Sequence, residues 1–230
     1  MKTILQTTDD GSHTLYVPEL DEHYHSTHGA IRESQHVYID AGLRHSLSTE
    51  INLLEIGFGT GLNTFLTLLE AEKLQKKIHY TTLERYPVTV SNAAELNYSD
   101  IIDPSRKETF RMLHTAAWGE WVPVTPYFWL KKHSMDLRDF LIIPQDETFD
   151  MIFYDAFAPE KQQEMWRQEI FDKLFTFSRD KAILTTYCAK GAVRRMLQSA
   201  GYNVERLPGP PGKREILRAR KGVQDSVYAG

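Results

Sequence analysis

The 230-residue chain is 41% hydrophobic and 25% charged, the balance of a folded globular protein with enough length for one large α/β domain or two small ones. No stretch approaches the roughly 20 apolar residues of a membrane span. Residues 1–6 lack the apolar run of a signal peptide, and the single Cys188 excludes an internal disulfide or a multi-cysteine zinc site. A cytoplasmic protein is expected. The net charge of −4 is unevenly spread: residues 194–221 hold eight Lys/Arg against Glu205 and Glu215, which puts +6 there and −10 elsewhere. An acidic body with a basic C-terminal quarter suits a cationic ligand inside and a polyanion at the rim.

In chain order, residues 14–17 and 36–39 are short β-prone runs on either side of a polar loop at 21–29. Strand and helix then alternate. A buried strand at 51–56 ends in Gly57, and a helix follows at 62–76 with Leu62, Phe65, Leu66 and Leu69 on one face. A strand at 78–83, a helix at 88–96, a long insertion and a strand at 127–130 come next. A strand at 149–154 precedes a helix at 163–177, and a strand at 182–187 precedes a helix at 191–200. Residues 202–207 and 215–219, joined by Pro208-Gly209-Pro210-Pro211-Gly212, read as an antiparallel pair. Alternation of this kind implies a mostly parallel sheet with right-handed crossovers. The closing hairpin matches the Rossmann-like, class I methyltransferase arrangement of seven strands. Residues 1–50 are expected as a β-rich extension, 51–221 as the catalytic domain and 222–230 as a mobile tail.

Ligands of open α/β sheets sit beyond the carboxyl ends of the strands, so those ends are where chemistry is sought. The first strand runs into Glu55-Ile56-Gly57-Phe58-Gly59-Thr60-Gly61-Leu62-Asn63. Leu62 occupies the position where a dinucleotide-binding loop would place its last glycine, and no Gly-Lys-Ser/Thr follows to cradle a triphosphate. The spacing therefore favours S-adenosyl-L-methionine over NAD or ATP. Glu84, at the end of the second strand, is placed to accept hydrogen bonds from ribose hydroxyls, and Asp136, after the third, to meet the adenine edge. At the end of the fourth strand Asp155 can stabilise the charge that develops on an attacking amine and take its proton. Capping of the following helix is its structural alternative. Tyr154 and Phe157 would desolvate the amine.

Together these features resemble the methyltransferase half of the bifunctional tRNA 5-methylaminomethyl-2-thiouridine biosynthesis enzymes, the MnmC family, and its stand-alone relatives. Further matches are Asp21-Glu22-His23-Tyr24-His25-Ser26 with Gly29-Ala30 and Glu33, Asp155-Ala156-Phe157-Ala158-Pro159, Glu164-Met165-Trp166 and Lys213-Arg214-Glu215. The resemblance implies methylation of 5-aminomethyl(-2-thio)uridine at the tRNA wobble position. It implies a cofactor site at Glu55, Gly57, Phe58, Gly59, Thr60, Gly61, Asn63, Glu84, Asp136 and Asp155, with Asp155 serving the amine. The family's Asp-Gly-Phe-Ala-Pro is here Asp155-Ala156-Phe157-Ala158-Pro159, a change that could narrow the acceptor pocket. A flavin-dependent oxidase half is not expected, so FAD is not implied and a separate enzyme is expected to supply the aminomethyl substrate. A small-molecule methyltransferase or aminopropyltransferase-like enzyme, and a non-catalytic partner of a separate oxidase, are the competing readings.

The remaining features divide between substrate and structure. Tyr24 and His25 are expected in a loop over the substrate, with Phe157 and Trp166 at its border. Trp166 has helix stapling as its structural alternative. His23, His25 and His28 have metal-like spacing but no completing ligands, so no metal is expected. The aromatic run Trp118, Trp121, Tyr127, Phe128 and Trp129 is expected in the core rather than under a base. Cys188 is expected to be buried and inert. Lys213, Arg214, Arg194 and Arg195 are expected on the RNA backbone.

Overall fold

The computed structural model describes residues 2–141 and 148–223, so most of the expected tail at 222–230 lies outside the described residues. The N-terminal segment forms its own antiparallel sheet, β1 (Ile4–Thr7), β2 (His13–Val17) and β3 (Glu22–His23), in that order. Asp10 ties this sheet to the next element. Its Oδ1 accepts from the Thr8 hydroxyl at 2.8 Å and the Ser12 amide at 3.0 Å, while Oδ2 accepts from the Arg32 amide at 3.0 Å. That last bond satisfies an N-terminal donor of α1 (Ala30–Ser34), whose own N-cap, Gly29, has no side chain to offer.

Residues 36–39 are not a strand. They lie in a π-helical turn, Gln35–Asp40, that continues α1. Val37, Tyr38 and Ile39 are all buried, at 0%, 1% and 0% exposure. A strand would turn alternate residues outward, whereas the wide turn packs all three consecutive side chains into the molecule, overriding their β preference.

The central sheet comprises β4 (Glu50–Ile56), β5 (Lys77–Leu83), β6 (Trp121–Thr125), β7 (Phe128–His133), β8 (Phe149–Tyr154), β9 (Ser178–Thr186), β10 (Tyr202–Pro208) and β11 (Glu215–Lys221). Their order is β10-β11-β9-β8-β4-β5-β7-β6, and β6, β10 and β11 pair antiparallel. The described sheet thus has eight strands where seven were expected. The extra one, β6, comes from the aromatic insertion. It sits at an edge, where Pro123 removes no ladder donor, and its register slips between Pro123 and Thr125.

The helices are α2 (Leu62–Leu74), α3 (Val90–Ala94), α4 (Tyr98–Ile102), α5 (Lys107–Thr115), α6 (Gln168–Phe177) and α7 (Gly191–Ala200). The helix expected at 163–177 begins as a separate 3-10 turn, Gln163–Met165, before α6 proper. Side chains alternate across β4: Ile51 and Leu53 join one core with Leu62 and Phe65 of α2, and Leu54 and Ile56 join the other with Phe171 of α6 and Leu197 of α7. Glu55 shares the face of Ile51 and Leu53, which is why a carboxylate lies buried under α2. From β4 the chain proceeds through β5 and β7 in one direction and through β8 and β9 in the other. The crevice between the carboxyl ends of β4 and β8 is therefore the topological switch point.

Candidate active site

A cleft of about 640 Å³ opens at that switch point, lined by the β4–α2 loop, the ends of β5, β7 and β8, and the N-terminal segment from Leu20 to Glu33. The loop after β4 is shaped by approaches that only glycine permits. Gly57 has φ +94°, and a Cβ there would lie 2.6 Å from the Asp155 carbonyl oxygen, so the two strand ends touch backbone to backbone. Gly59 has φ +50°, and a Cβ there would meet the Tyr24 ring at 2.9 Å. The expected cofactor residues Gly57, Phe58, Gly59, Thr60 and Asn63 all line the cleft, as do Glu84, Asp136 and Asp155, and Gly61 N-caps α2 in a left-handed conformation.

Asp155 is held from two sides. Its Oδ1 accepts from the Tyr38 hydroxyl at 2.6 Å, and its Oδ2 accepts from the Asn63 side-chain amide at 2.8 Å. Burial pushes its carboxyl up to about 7, against the lowering effect of these two donors. Both oxygens are engaged by side chains of the N-terminal segment and α2, and the following residues enter an irregular loop. The helix-capping alternative therefore does not apply.

The other acids differ from one another. Glu84 lines the cleft with its carboxylate fixed by backbone, Oε2 accepting from the Gly59 amide at 2.9 Å and Oε1 from the Tyr86 amide at 2.8 Å. Asp136 also lines the cleft but is clamped by Arg138 at 2.8 Å and Arg85 at 3.0 Å. The Arg138 bonds hold its carboxyl below the usual range, so its charge is already neutralised before any adenine edge approaches. Glu55 does not line the cleft. It is fully buried, and its Oε2 accepts from Thr82 at 2.8 Å and Thr64 at 3.1 Å. Desolvation raises its carboxyl to about 8, and it stands behind the cleft wall rather than in it.

Of the expected substrate residues, Tyr24 and Phe157 meet edge to face over the glycine loop with ring centroids 5.0 Å apart, and both line the cleft. His25 lines the cleft as well; its Nε2 shares a 2.7 Å hydrogen bond with Thr60, and burial lowers its ring to about 4, so it is neutral and braces the loop. Trp166 is buried and absent from the cleft wall; its indole N–H donates to the Phe157 carbonyl at 2.7 Å, the stapling role. Lys213 also departs from expectation, since it lines the cleft beside Glu33 instead of the outer surface. Arg195 and Arg214 are exposed and Arg194 is half-buried, all three outside the cleft wall. Cys188 is buried, and burial raises its thiol. Of the aromatic run only Phe128 is fully buried; Trp118 and Trp121 are 37% and 43% exposed.

Three participants escaped the sequence. Tyr38 lies 117 positions from Asp155 in a segment that reads as a strand. Glu33 is recognisable only as part of a motif. Lys132 is a buried lysine under the glycine loop: its ammonium caps α5 through the Leu113 and His114 carbonyls, both at 2.8 Å, and faces the rings of Trp118 and Phe58 at 4.6 and 5.3 Å. Among the described residues, no group of three or more His, Cys, Asp or Glu is arranged to hold a metal, and no helix is long and apolar enough to cross a membrane.

Residues 122–222 match a family described as S-adenosyl-L-methionine-dependent methyltransferases. The chain is 29% identical over 232 residues to the tRNA 5-methylaminomethyl-2-thiouridine biosynthesis bifunctional protein MnmC of Cupriavidus metallidurans, covering 93% of this chain and 33% of that protein. It is 30% identical over 211 residues to the protein of the same name from Chromobacterium violaceum, covering 84% and 31%. The chain thus spans about a third of the length of the curated relatives it matches, and the likeness lies in their methyltransferase part. Among solved structures, MnmC2 from Aquifex aeolicus superposes with a TM-score of 0.78 at 23% identity, covering 97% of this chain and 73% of that one. A spermidine synthase from Thermotoga maritima shares the fold at a TM-score of 0.55 and 12% identity, covering 97% and 74%.

Proposed function

From the chain's likeness to the methyltransferase part of the MnmC enzymes and from the geometry of this cleft, we propose that it is an S-adenosyl-L-methionine-dependent methyltransferase. Its substrate in this reading is 5-aminomethyl(-2-thio)uridine at the tRNA wobble position, which it converts to the 5-methylaminomethyl form. Residues 51–221 are the transferase domain and residues 1–50 an extension that closes the cleft through Tyr24. The enzyme works on tRNA in the cytoplasm, and an upstream reaction must supply the primary amine.

The single observation that carries the proposal is the placement of Asp155 against the glycine loop, where Tyr38 and Asn63 aim its two oxygens. The residues present fit the cofactor. Gly57 and Gly59 let the loop pass close against Asp155 and Tyr24 while lining the cleft, and the backbone-fixed Glu84 carboxylate borders it with lone pairs for ribose hydroxyls. Acidic strand ends also suit its positive charge. S-adenosyl-L-methionine, when bound, supplies an electrophilic methyl group.

The chain's own residues then manage the acceptor. Tyr24 and Phe157 exclude water from the amine, which disfavours its unreactive ammonium form. Asp155 Oδ1 and Oδ2, oriented by Tyr38 and Asn63, stabilise the positive charge that builds on nitrogen and take the proton it releases. A carboxyl near 7 is poised to accept that proton at working pH and return it to solvent.

The test is to incubate the protein with methyl-labelled cofactor and total RNA from cells that lack it, then to analyse the nucleosides by mass. Label in a 5-aminomethyluridine-derived nucleoside of tRNA is expected. Label confined to small amines would favour the aminopropyltransferase-like reading, for which the spermidine synthase fold gives some ground. Cofactor binding with no transfer to any acceptor would leave only a non-catalytic partner.

A further inference from the structure

Two charged side chains in the cleft wall have no part in the transfer just described. Glu33, on α1, has a side chain only 9% exposed. Its Oε1 takes a long 3.4 Å bond from the Ser26 amide, and no protein group donates a hydrogen bond to its Oε2. The Lys213 ammonium stands 3.5 Å from that oxygen and 4.6 Å from the centre of the Tyr187 ring. Both charges are close enough to Asp155 to act on its carboxyl, Glu33 raising it and Lys213 lowering it. The cleft thus holds a proton acceptor for the amine and, beside it, one fixed donor and one carboxylate oxygen with spare capacity.

A phosphate is a poor match for Lys213 in this position, because a buried carboxylate beside the ammonium would repel it. A neutral group offering one acceptor and one adjacent donor is a good match. The pyrimidine ring of uridine has that pattern: the C4 carbonyl accepts, the neighbouring N3–H donates, and the 5-substituent lies on the other side of the carbonyl.

We propose that Lys213 and Glu33 read the C4–N3 edge of a uracil ring that has left its stack, Lys213 donating to O4 and Glu33 accepting from N3–H, with the 5-aminomethyl nitrogen turned toward Asp155. The inference rests on the functional reading above and adds to it a reason for choosing uracil. A cytosine in the same place would point its N4 amino group at the ammonium and its bare N3 lone pair at the carboxylate, two mismatches at once. Entry of a single base is compatible with recognition in an anticodon loop, where bases can be splayed out.

The experiment uses two anticodon stem-loop RNAs, identical except for 5-aminomethyluridine or 5-aminomethylcytidine at the wobble position. Methyl transfer is measured with the full-length protein and with Glu33→Gln, Lys213→Met and Lys213→Arg, and cofactor Kd is measured for each. The natural protein should prefer the uridine by about 100-fold or more in kcat/KM. Glu33→Gln, which turns an acceptor into a possible donor, should lower the uridine rate by about 10- to 100-fold and leave the cytidine rate level or raised. Lys213→Met should do the same to the uridine, Lys213→Arg should keep most of the preference, and cofactor Kd should stay within about twofold throughout. Equal loss on both RNAs, or loss of cofactor affinity alone, would overturn the assignment while leaving the methyltransferase reading intact. Failure of the natural protein on both RNAs, with cofactor still bound, would remove that reading and this inference with it.

Discussion

Tyr38 shows how one hydroxyl can set the working range of a site. Its ring packs against Phe153 at a centroid distance of 5.1 Å, so Tyr38→Phe should leave the packing in place and remove only the bond to Asp155. That bond favours the charged carboxylate. Without it the carboxyl, already near 7, should rise further, and the acidic limb of kcat/KM should move up by on the order of one pH unit. Besides Tyr38, the groups acting on Asp155 include Asn63, Glu33, Lys213, Glu55 and Tyr187, all unchanged in this variant. A profile that does not move would show that the hydroxyl is structural. Glu55 makes a second residue-scale case. Its Oε1 and the Asn63 Oδ1 are both buried acceptors that no protein hydrogen bond satisfies while the carboxyl is charged. A proton on Glu55 would let it donate, which agrees with a carboxyl raised to about 8. A raised acid contributes stability that is complete below its unfolded value near 4.5 and is lost as pH climbs through 8. Glu55→Gln, a neutral mimic, should therefore melt like the natural protein near pH 4, gain on it steadily as pH rises above 4.5, and be more stable by several kcal/mol at pH 9. If the natural protein keeps its relative Tm across that range, Glu55 does not titrate there.

At the scale of elements, the loop between β4 and α2 rewards comparison of its two tightest glycines. Both hold positive φ, but the neighbour differs: a Cβ at position 57 meets the Asp155 backbone, and one at position 59 meets a side-chain ring that can swing. Gly57→Ala should cost about 2–4 kcal/mol in thermal or denaturant unfolding and abolish cofactor binding, whereas Gly59→Ala should cost about 1 kcal/mol and weaken binding by displacing Tyr24. Equal effects would mean that the β4 and β8 ends are not in backbone contact. This loop was readable in the sequence because its signals are local: a buried strand, glycines at fixed spacing and a helix with apolar periodicity. Asp155 was readable for the same reason, at the end of an apolar run. The π-helical turn at Gln35–Asp40 was not, because its three consecutive buried side chains follow from packing on α2 and β9, which no local pattern records. Nor was β6, in which Pro123 argues against a strand until the sheet edge is in view. The Arg85 arm of the clamp on Asp136 and the inward Lys213 share that cause: each side chain's role is decided by a neighbour far along the chain.

The molecule as a whole separates its charges more finely than composition suggests. Of the eight cations in residues 194–221, Arg218 and Arg220 pair with Glu205, Arg206 with Glu215 and Lys213 with Glu33, and Lys221 donates to the Phe175 and Ser178 carbonyls. Much of the basic quarter therefore stabilises the β10–β11 hairpin and its neighbours. Arg194, Arg195 and Arg214 pair with no carboxylate among the described residues, and α7 brings the first two to the carboxyl end of β9, the same sheet end as the cleft. These three are the cations available to a polyanion that reaches the active site, which is consistent with a tRNA substrate held at the rim by its backbone and read inside by its base. Reversing both residues of α7, Arg194→Glu with Arg195→Glu, should weaken tRNA binding and reduce the slope of log Kd against log salt by about 1.4 to 1.8, the contribution of two phosphate contacts. Cofactor affinity should not change, because neither side chain reaches the cleft wall. Titrations at several salt concentrations would decide the matter. An unaltered slope would assign the free arginines to an ordinary solvated surface and send the search for the RNA-binding face elsewhere on the molecule.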